Sequence, residues 1–313
     1  MRILSALGLA GILAVVTFLD APAEEPAPPG LINVKEVGTT GQAVIFIPGL
    51  ASPGSIWDDT VATLKAYNTC HVVTVAGFGG LPAVPVRQHL LADVREAIIA
   101  YAREHHLEHP IVVGHSLGGF LALDIAEKAP DLPACVIIVD SVPFLAGLIN
   151  PSLKTEADAQ KVAPMVAFGI CGQSQAQFAV EQQRAIAEMV TSPERAAAIA
   201  AETSKSNPMT VGQAMGELLA ADLRPDLGSV RCPVLVMGAL AGKTPSNASR
   251  EQAEEKYRQQ FAGLPQAKFQ FFPEAHHFIM VDDRPGFEAA LLRELAAGVV
   301  VRQRSKTLEP VSR

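Results

Sequence analysis

The chain has 313 residues, 49% of them hydrophobic, and a net charge of −7. That is apolar material enough for a sizeable core in one large domain or two small ones. Its charges are not gathered into long runs, so there is no basic footprint and nucleic acid is excluded as a partner. Cys70, Cys135, Cys171 and Cys232 show neither C-x-x-C spacing nor the clustered histidines of a zinc site.

The first segment carries Arg2, an apolar run over 3–19, and then Ala21-Pro22-Ala23, a small-x-small cleavage pattern. Residues 1–23 read as a signal peptide cut after Ala23, which exports the chain to the periplasm or the medium with no stable membrane insertion afterwards. An uncleaved membrane anchor is the alternative, because the run is at the lower edge of what spans a bilayer; Ser5, Gly8 and Gly11 weaken that case. Export also permits disulfides. Residues 24–41, rich in Pro and Glu over their first half, are expected to form a leader before the folded part.

Val44-Ile45-Phe46-Ile47 is a buried strand that ends at Pro48-Gly49, and residues 55–67 carry helical periodicity. A strand over 71–75 leads to the loop Ala76-Gly77-Phe78-Gly79-Gly80. Residues 90–105 place Leu90, Leu91, Val94, Ile98 and Tyr101 at helical spacing. The segment 111–124 then reads IVVGHSLGGFLALD: a short β-branched run turns at once into a helix around Ser116. Such a turn forces unusual backbone angles on Ser116, and small residues at Gly114 and Gly118 let strand and helix approach. This is the pattern of a nucleophile elbow.

A further apolar strand, 135–139, ends in Asp140. From 144 to 223 the strand signal stops and helical patterns over 176–190, 193–204 and 211–223 take its place, as in a helical cap. The sheet pattern resumes at 234–237, followed by a helix over 250–261, a strand over 268–272, a last helix over 285–301 and a polar tail, 302–313. Strands that are apolar throughout and alternate with helices predict an α/β chain whose parallel sheet is covered on both faces. Its core is built from 42–143 and 224–301.

The Pro-Gly after the first strong strand, the GHSLGG elbow, the cap after Val139-Asp140-Ser141-Val142-Pro143-Phe144, the Asp222-Leu223-Arg224-Pro225 exit and the late His277-Phe278-Ile279-Met280 together resemble the α/β-hydrolase superfamily. The resemblance implies the α/β-hydrolase fold, a mostly parallel central sheet flanked by helices with a helical cap inserted. It implies a serine hydrolase cleaving a carboxylic ester or related acyl bond through an acyl-enzyme. Ser116 would be the nucleophile and His277 the base, with His276 orienting its loop. The backbone N–H groups of Leu50 and Leu117 would form the oxyanion hole. A Ser rather than an Asp at the elbow argues against dehalogenase or epoxide hydrolase chemistry, and neither metal nor cofactor is implied.

The family's usual acid position, shortly after Gly238, holds no carboxylate. Some members carry the acid at the end of the preceding strand, which makes Asp140 the expected acid; Asp282 and Asp283 are rivals whose ordinary role would be to cap the last helix. The partner is a small acyl substrate. Met165, Phe168, Phe178, Met189, Met209 and Met215 either line an acyl pocket or pack in the cap core, and Trp57 either walls the pocket or belongs to the core. Lactones, amides and N-terminal prolyl peptides are narrower substrates for the same groups, and a non-catalytic binding protein on the hydrolase fold is the other class. The superfamily's strand order would also set Cys135 and Cys232 on adjacent parallel strands, near enough for a disulfide.

Overall fold

The computed structural model describes residues 30–241 and 249–308. In chain order the elements are β1 (Ile32–Val37), β2 (Gln42–Ile47), α1 (Asp58–Leu64), β3 (Asn68–Val75), α2 (Leu90–Glu104), β4 (Ile111–His115), α3 (Leu117–Lys128) and β5 (Cys135–Val139). Then follow α4 (Leu145–Ile149), α5 (Glu156–Cys171), α6 (Gln175–Met189), α7 (Pro193–Thr203) and α8 (Pro208–Ala220). The chain returns to the sheet with β6 (Val234–Ala239), α9 (Arg250–Gln260), β7 (Lys268–Phe272), α10 (Ile279–Asp282) and α11 (Arg284–Leu308).

The strands form one seven-stranded sheet in the order β1-β3-β2-β4-β5-β6-β7, parallel except for β1. Along each central strand alternate side chains face opposite sides. Val44 and Phe46 pack with Trp57, Val61, Leu64, Phe287 and Leu291 on one face, and Ile45 and Ile47 pack with Leu90, Val94, Ile98 and Leu121 on the other. Both faces are buried, which is why these strands are apolar at every position. From β2 the chain moves outward to β3 and then crosses back to β4, so the order reverses at the carboxyl ends of β2 and β4, where open α/β sheets place their sites.

Four expectations are corrected. The stretch 24–41, read as a leader, contains β1, which pairs antiparallel with β3 at the sheet edge; its Ile-Asn-Val-Lys-Glu-Val sequence leaves the edge strand mostly solvated. The cap contains α5 in addition to the helices read from periodicity. Its Pro164 masks the pattern, and its N-terminus is marked by a capping box in which Thr155 and Asp158 exchange hydrogen bonds. The last helix begins at Arg284 and continues through Leu308, beyond the expected end at 301. Cys135 and Cys232 are not bridged: the register pairs Val136 with Val234, so Cys232 sits one step behind the position facing Cys135. Burial pushes their thiols up to about 12 and about 11 respectively, keeping both protonated. The signal segment 1–23 lies outside the described residues, among which no helix is long and apolar enough to cross a membrane.

Helices α4 to α8 lie between β5 and β6 and sit over the carboxyl end of the sheet. The Glu217 carboxylate of α8 accepts the Leu90 and Leu91 N–H groups at 2.9 and 2.8 Å, capping α2 from the cap side. Ser206 donates to the Ala51 carbonyl at 2.7 Å and accepts from the Gly79 N–H at 2.8 Å. These bonds fix the cap over the loop that follows β2.

Candidate active site

Ser116 stands between β4 and α3 with φ 52° and ψ −118°, a conformation that L residues avoid and that costs about 1–3 kcal/mol. The surrounding backbone holds it there. Its N–H donates to the Val139 carbonyl at 2.9 Å, and its carbonyl accepts the Gly119 and Phe120 N–H groups of the first helical turn. A Cβ at Gly114 would lie 2.0 Å from the Gly118 carbonyl oxygen, and one at Gly118 would lie 2.2 Å from the Ile47 carbonyl oxygen. Strand, helix and the neighbouring strand therefore close on Ser116 only with glycine at both positions.

His277 follows β7 in the loop before α10, and its Nδ1 lies 2.5 Å from Asp140 Oδ2. Asp140 terminates β5 with φ 49° and is almost fully buried. Its other oxygen, Oδ1, accepts the Ala239 N–H at 3.0 Å and the Tyr257 hydroxyl at 2.5 Å. Tyr257 is buried; its phenol is pushed well above its ordinary range by burial and by the Asp140 charge, so it stays protonated and donates. His115 holds the loop from beneath. Its Nε2–H donates to the His277 carbonyl at 3.0 Å, and its ring lies against those of His277 and Phe278, each with centroids 4.6 Å away.

The rival carboxylates are occupied elsewhere. Asp282 accepts the Thr191 N–H at 2.9 Å and the His276 N–H at 2.8 Å, tying the cap to the histidine loop. Asp283 accepts the Gly286 N–H at 3.0 Å at the start of α11. His276 contacts the Glu188 carbonyl at 2.9 Å through Nδ1, a second tie between that loop and the cap.

Two cavities meet at Ser116 and His277. The first, of about 360 Å³, is walled by Val142, Leu145, Leu148, Ile149 and Leu218, with Ala253, Lys256 and Tyr257 from one face of α9. The second, of about 320 Å³, is lined by Leu50, Ile170, Phe178, Met189 and Met215 together with the polar Ser52, Gln173, Glu181 and Gln182. Leu50 is half-buried in the loop after β2, and Leu117 is buried at the first turn of α3. Neither N–H donates to a protein acceptor among the described residues. Of the sequence-predicted pocket residues, Phe178, Met189 and Met215 line the second cavity.

Met165, Phe168 and Trp57 do not line either cavity. Met165 and Phe168 are 76% and 79% exposed on the outer face of α5, because Ala159 and Ala163 form the face that packs inward. Trp57 is fully buried, its ring centroid 5.2 Å from that of Phe46 and 6.1 Å from that of Phe287 in the core beneath the sheet. Tyr257 and Lys256 were missed. Their signal is the one-face spacing of Ala253, Lys256 and Tyr257 on a helix, which becomes meaningful only once that helix is seated beside Asp140. Among the described residues no group of three His, Cys, Asp or Glu side chains is placed to hold a metal.

The profile of the alpha/beta hydrolase family matches residues 44–290. The chain belongs to that family. A curated relative, the pimeloyl-[acyl-carrier protein] methyl ester esterase of Chromobacterium violaceum, is 29% identical over 268 residues, which cover 83% of this hydrolase and 97% of the relative. A relative of the same name from Vibrio cholerae is 26% identical over 69% of the hydrolase and 82% of its own length. A thermophilic esterase from Thermogutta terrifontis superposes with a TM-score of 0.68 at 19% identity, covering 85% of the hydrolase and 93% of that chain, and shows the shared fold.

Proposed function

We propose that the hydrolase is an exported serine esterase. Ser116 Oγ attacks the carbonyl carbon of a carboxylic ester while His277 Nε2 takes its proton. The tetrahedral oxyanion is received by the Leu50 and Leu117 N–H groups. Collapse expels the alcohol, protonated by His277, and leaves an acyl group on Ser116; a water deprotonated by His277 then releases the acid. Asp140 holds the Nδ1–H tautomer of His277 and balances the imidazolium charge.

The observation that carries this reading is the 2.5 Å contact between His277 and the buried Asp140 at the sheet end that bears Ser116 in its left-handed conformation. The methyl ester esterases among its relatives support an ester as substrate, and two cavities meeting at Ser116 suit the acyl and alcohol halves of one. The Arg2 to Ala23 segment supports export.

The test is a panel of p-nitrophenyl acetate, butyrate and octanoate with a simple lactone and an anilide, run on the wild type and on Ser116→Ala. The reading expects ester turnover that the substitution reduces by several orders of magnitude. Ester turnover unchanged in Ser116→Ala, or none on any ester with the anilide cleaved, overturns it. Edman sequencing of the exported protein is expected to begin at Glu24; an intact N-terminus in the membrane fraction contradicts export by cleavage.

A further inference from the structure

Resting on the serine-esterase reading, we propose that Tyr257 is a positioning residue that sets the pH range of the reaction by sharing the charge of Asp140 with His277. Asp140 divides its two oxygens: Oδ2 faces His277, and Oδ1 takes the Ala239 N–H and the Tyr257 hydroxyl. The two donors differ in kind. The Ala239 N–H is fixed in strand β6, whereas the phenol reaches across from α9 at 2.5 Å and is held by burial and by a T-shaped contact of its ring with Phe271, centroids 5.9 Å apart. A hydroxyl donating to a buried carboxylate withdraws charge from it. What Tyr257 takes from Oδ1 is unavailable on Oδ2 to stabilise the imidazolium. Removing the hydroxyl leaves more charge on Oδ2, which favours the imidazolium in the variant relative to the wild type.

The other titratable groups facing His277 differ in reach from Tyr257. His115 lies under the ring and is engaged through Nε2 with the His277 carbonyl, while Lys256 and Glu181 border the first and the second cavity. Lys256 and Glu181 are exposed to solvent, which screens their effect, and none of the three bonds to Asp140 among the described contacts. Tyr257 and Asp140 both line the first cavity, and the Tyr257 hydroxyl bonds to Asp140. Removing the oxygen alone keeps the aromatic ring, and reading KM beside kcat separates the proposed role from substrate binding.

The experiment measures the second-order rate of Ser116 phosphonylation by a fluorophosphonate, and kcat and KM for p-nitrophenyl acetate, across pH 5 to 9 in wild type and Tyr257→Phe. The acid limb of both profiles is expected to move up by about half to one pH unit in Tyr257→Phe, with kcat well down the acid limb about three- to tenfold lower and KM within about twofold of wild type. Thermal unfolding checks that the variant folds. Should it fail to fold, replacing all three tyrosines of the chain with 3-fluorotyrosine makes the phenol a stronger donor, and the acid limb is expected to move down. A limb that stays in place, or moves opposite to these directions, overturns the role of Tyr257. Wild-type protein that no fluorophosphonate labels overturns instead the serine-esterase reading beneath it.

Discussion

Glu127 sits in the last turn of α3, the helix that begins at Ser116, and is 5% exposed with no hydrogen-bond partner on either carboxylate oxygen among the described residues. Burial and the nearby Asp124 push its carboxyl up from 4.5 to about 8, against the pull of Lys128. The folded protein therefore keeps a proton that the unfolded chain releases. The stability this contributes is whole below about pH 4.5, falls as pH rises, and is gone above about pH 8. At about 1.4 kcal/mol per pH unit the ceiling over that window is about 5 kcal/mol. Glu127→Gln keeps the shape and cannot ionise. Measured by urea unfolding with the fluorescence of Trp57, the single buried tryptophan, the variant is expected to match wild type near pH 4.5. It should exceed wild type by about 2–5 kcal/mol at pH 8.5. Taking the difference between the two proteins cancels the titration of His71, which both retain. A stability difference that does not change with pH refutes the argument.

Asp140→Asn is expected to lower turnover by about 10⁴ while leaving the unfolding midpoint within a few degrees, because it removes the charge that orients and stabilises the imidazolium. Asp283→Asn should change neither activity nor stability, since Asn caps a helix as well as Asp; equal loss in both variants would contradict the assignment of the acid. Asp282→Asn loosens a carboxylate that two backbone N–H groups share, and steady-state kinetics should show kcat reduced about three- to tenfold with the pH profile unmoved. Gly118→Ala drives a methyl to 2.2 Å from the Ile47 carbonyl oxygen, so soluble yield and melting temperature should collapse, and a folded, active variant would show that the elbow can relax.

The sheet and the elbow were legible because their causes are local. A strand buried on both faces must be apolar at each position, and the close approach at Gly114 and Gly118 demands glycine at fixed spacing from Ser116. Strand β1 escaped because an edge strand need bury only part of one side. The pairing of His277 with Asp140 spans 137 positions and was approached through family order and an empty position after Gly238 rather than through any local signal. Tyr257 had no such guide: its place beside Asp140 depends on how α9 packs. Cap residues were misjudged for a related reason. The apolar positions of α5 do not reveal which face meets α8, and the small Ala159 and Ala163 take the inner side, leaving Met165 and Phe168 outside. Trp57 follows size, since the largest apolar ring was drawn into the core with Phe46 and Phe287.

The acyl-enzyme on Ser116 is tested most directly by mixing the protein with p-nitrophenyl acetate, quenching in acid within milliseconds and mapping the peptides by mass spectrometry. The account predicts an initial burst of nitrophenol and an acetyl group on the peptide carrying Ser116, absent from Ser116→Ala. An acetyl group on another residue, or a burst that persists in Ser116→Ala, would contradict it.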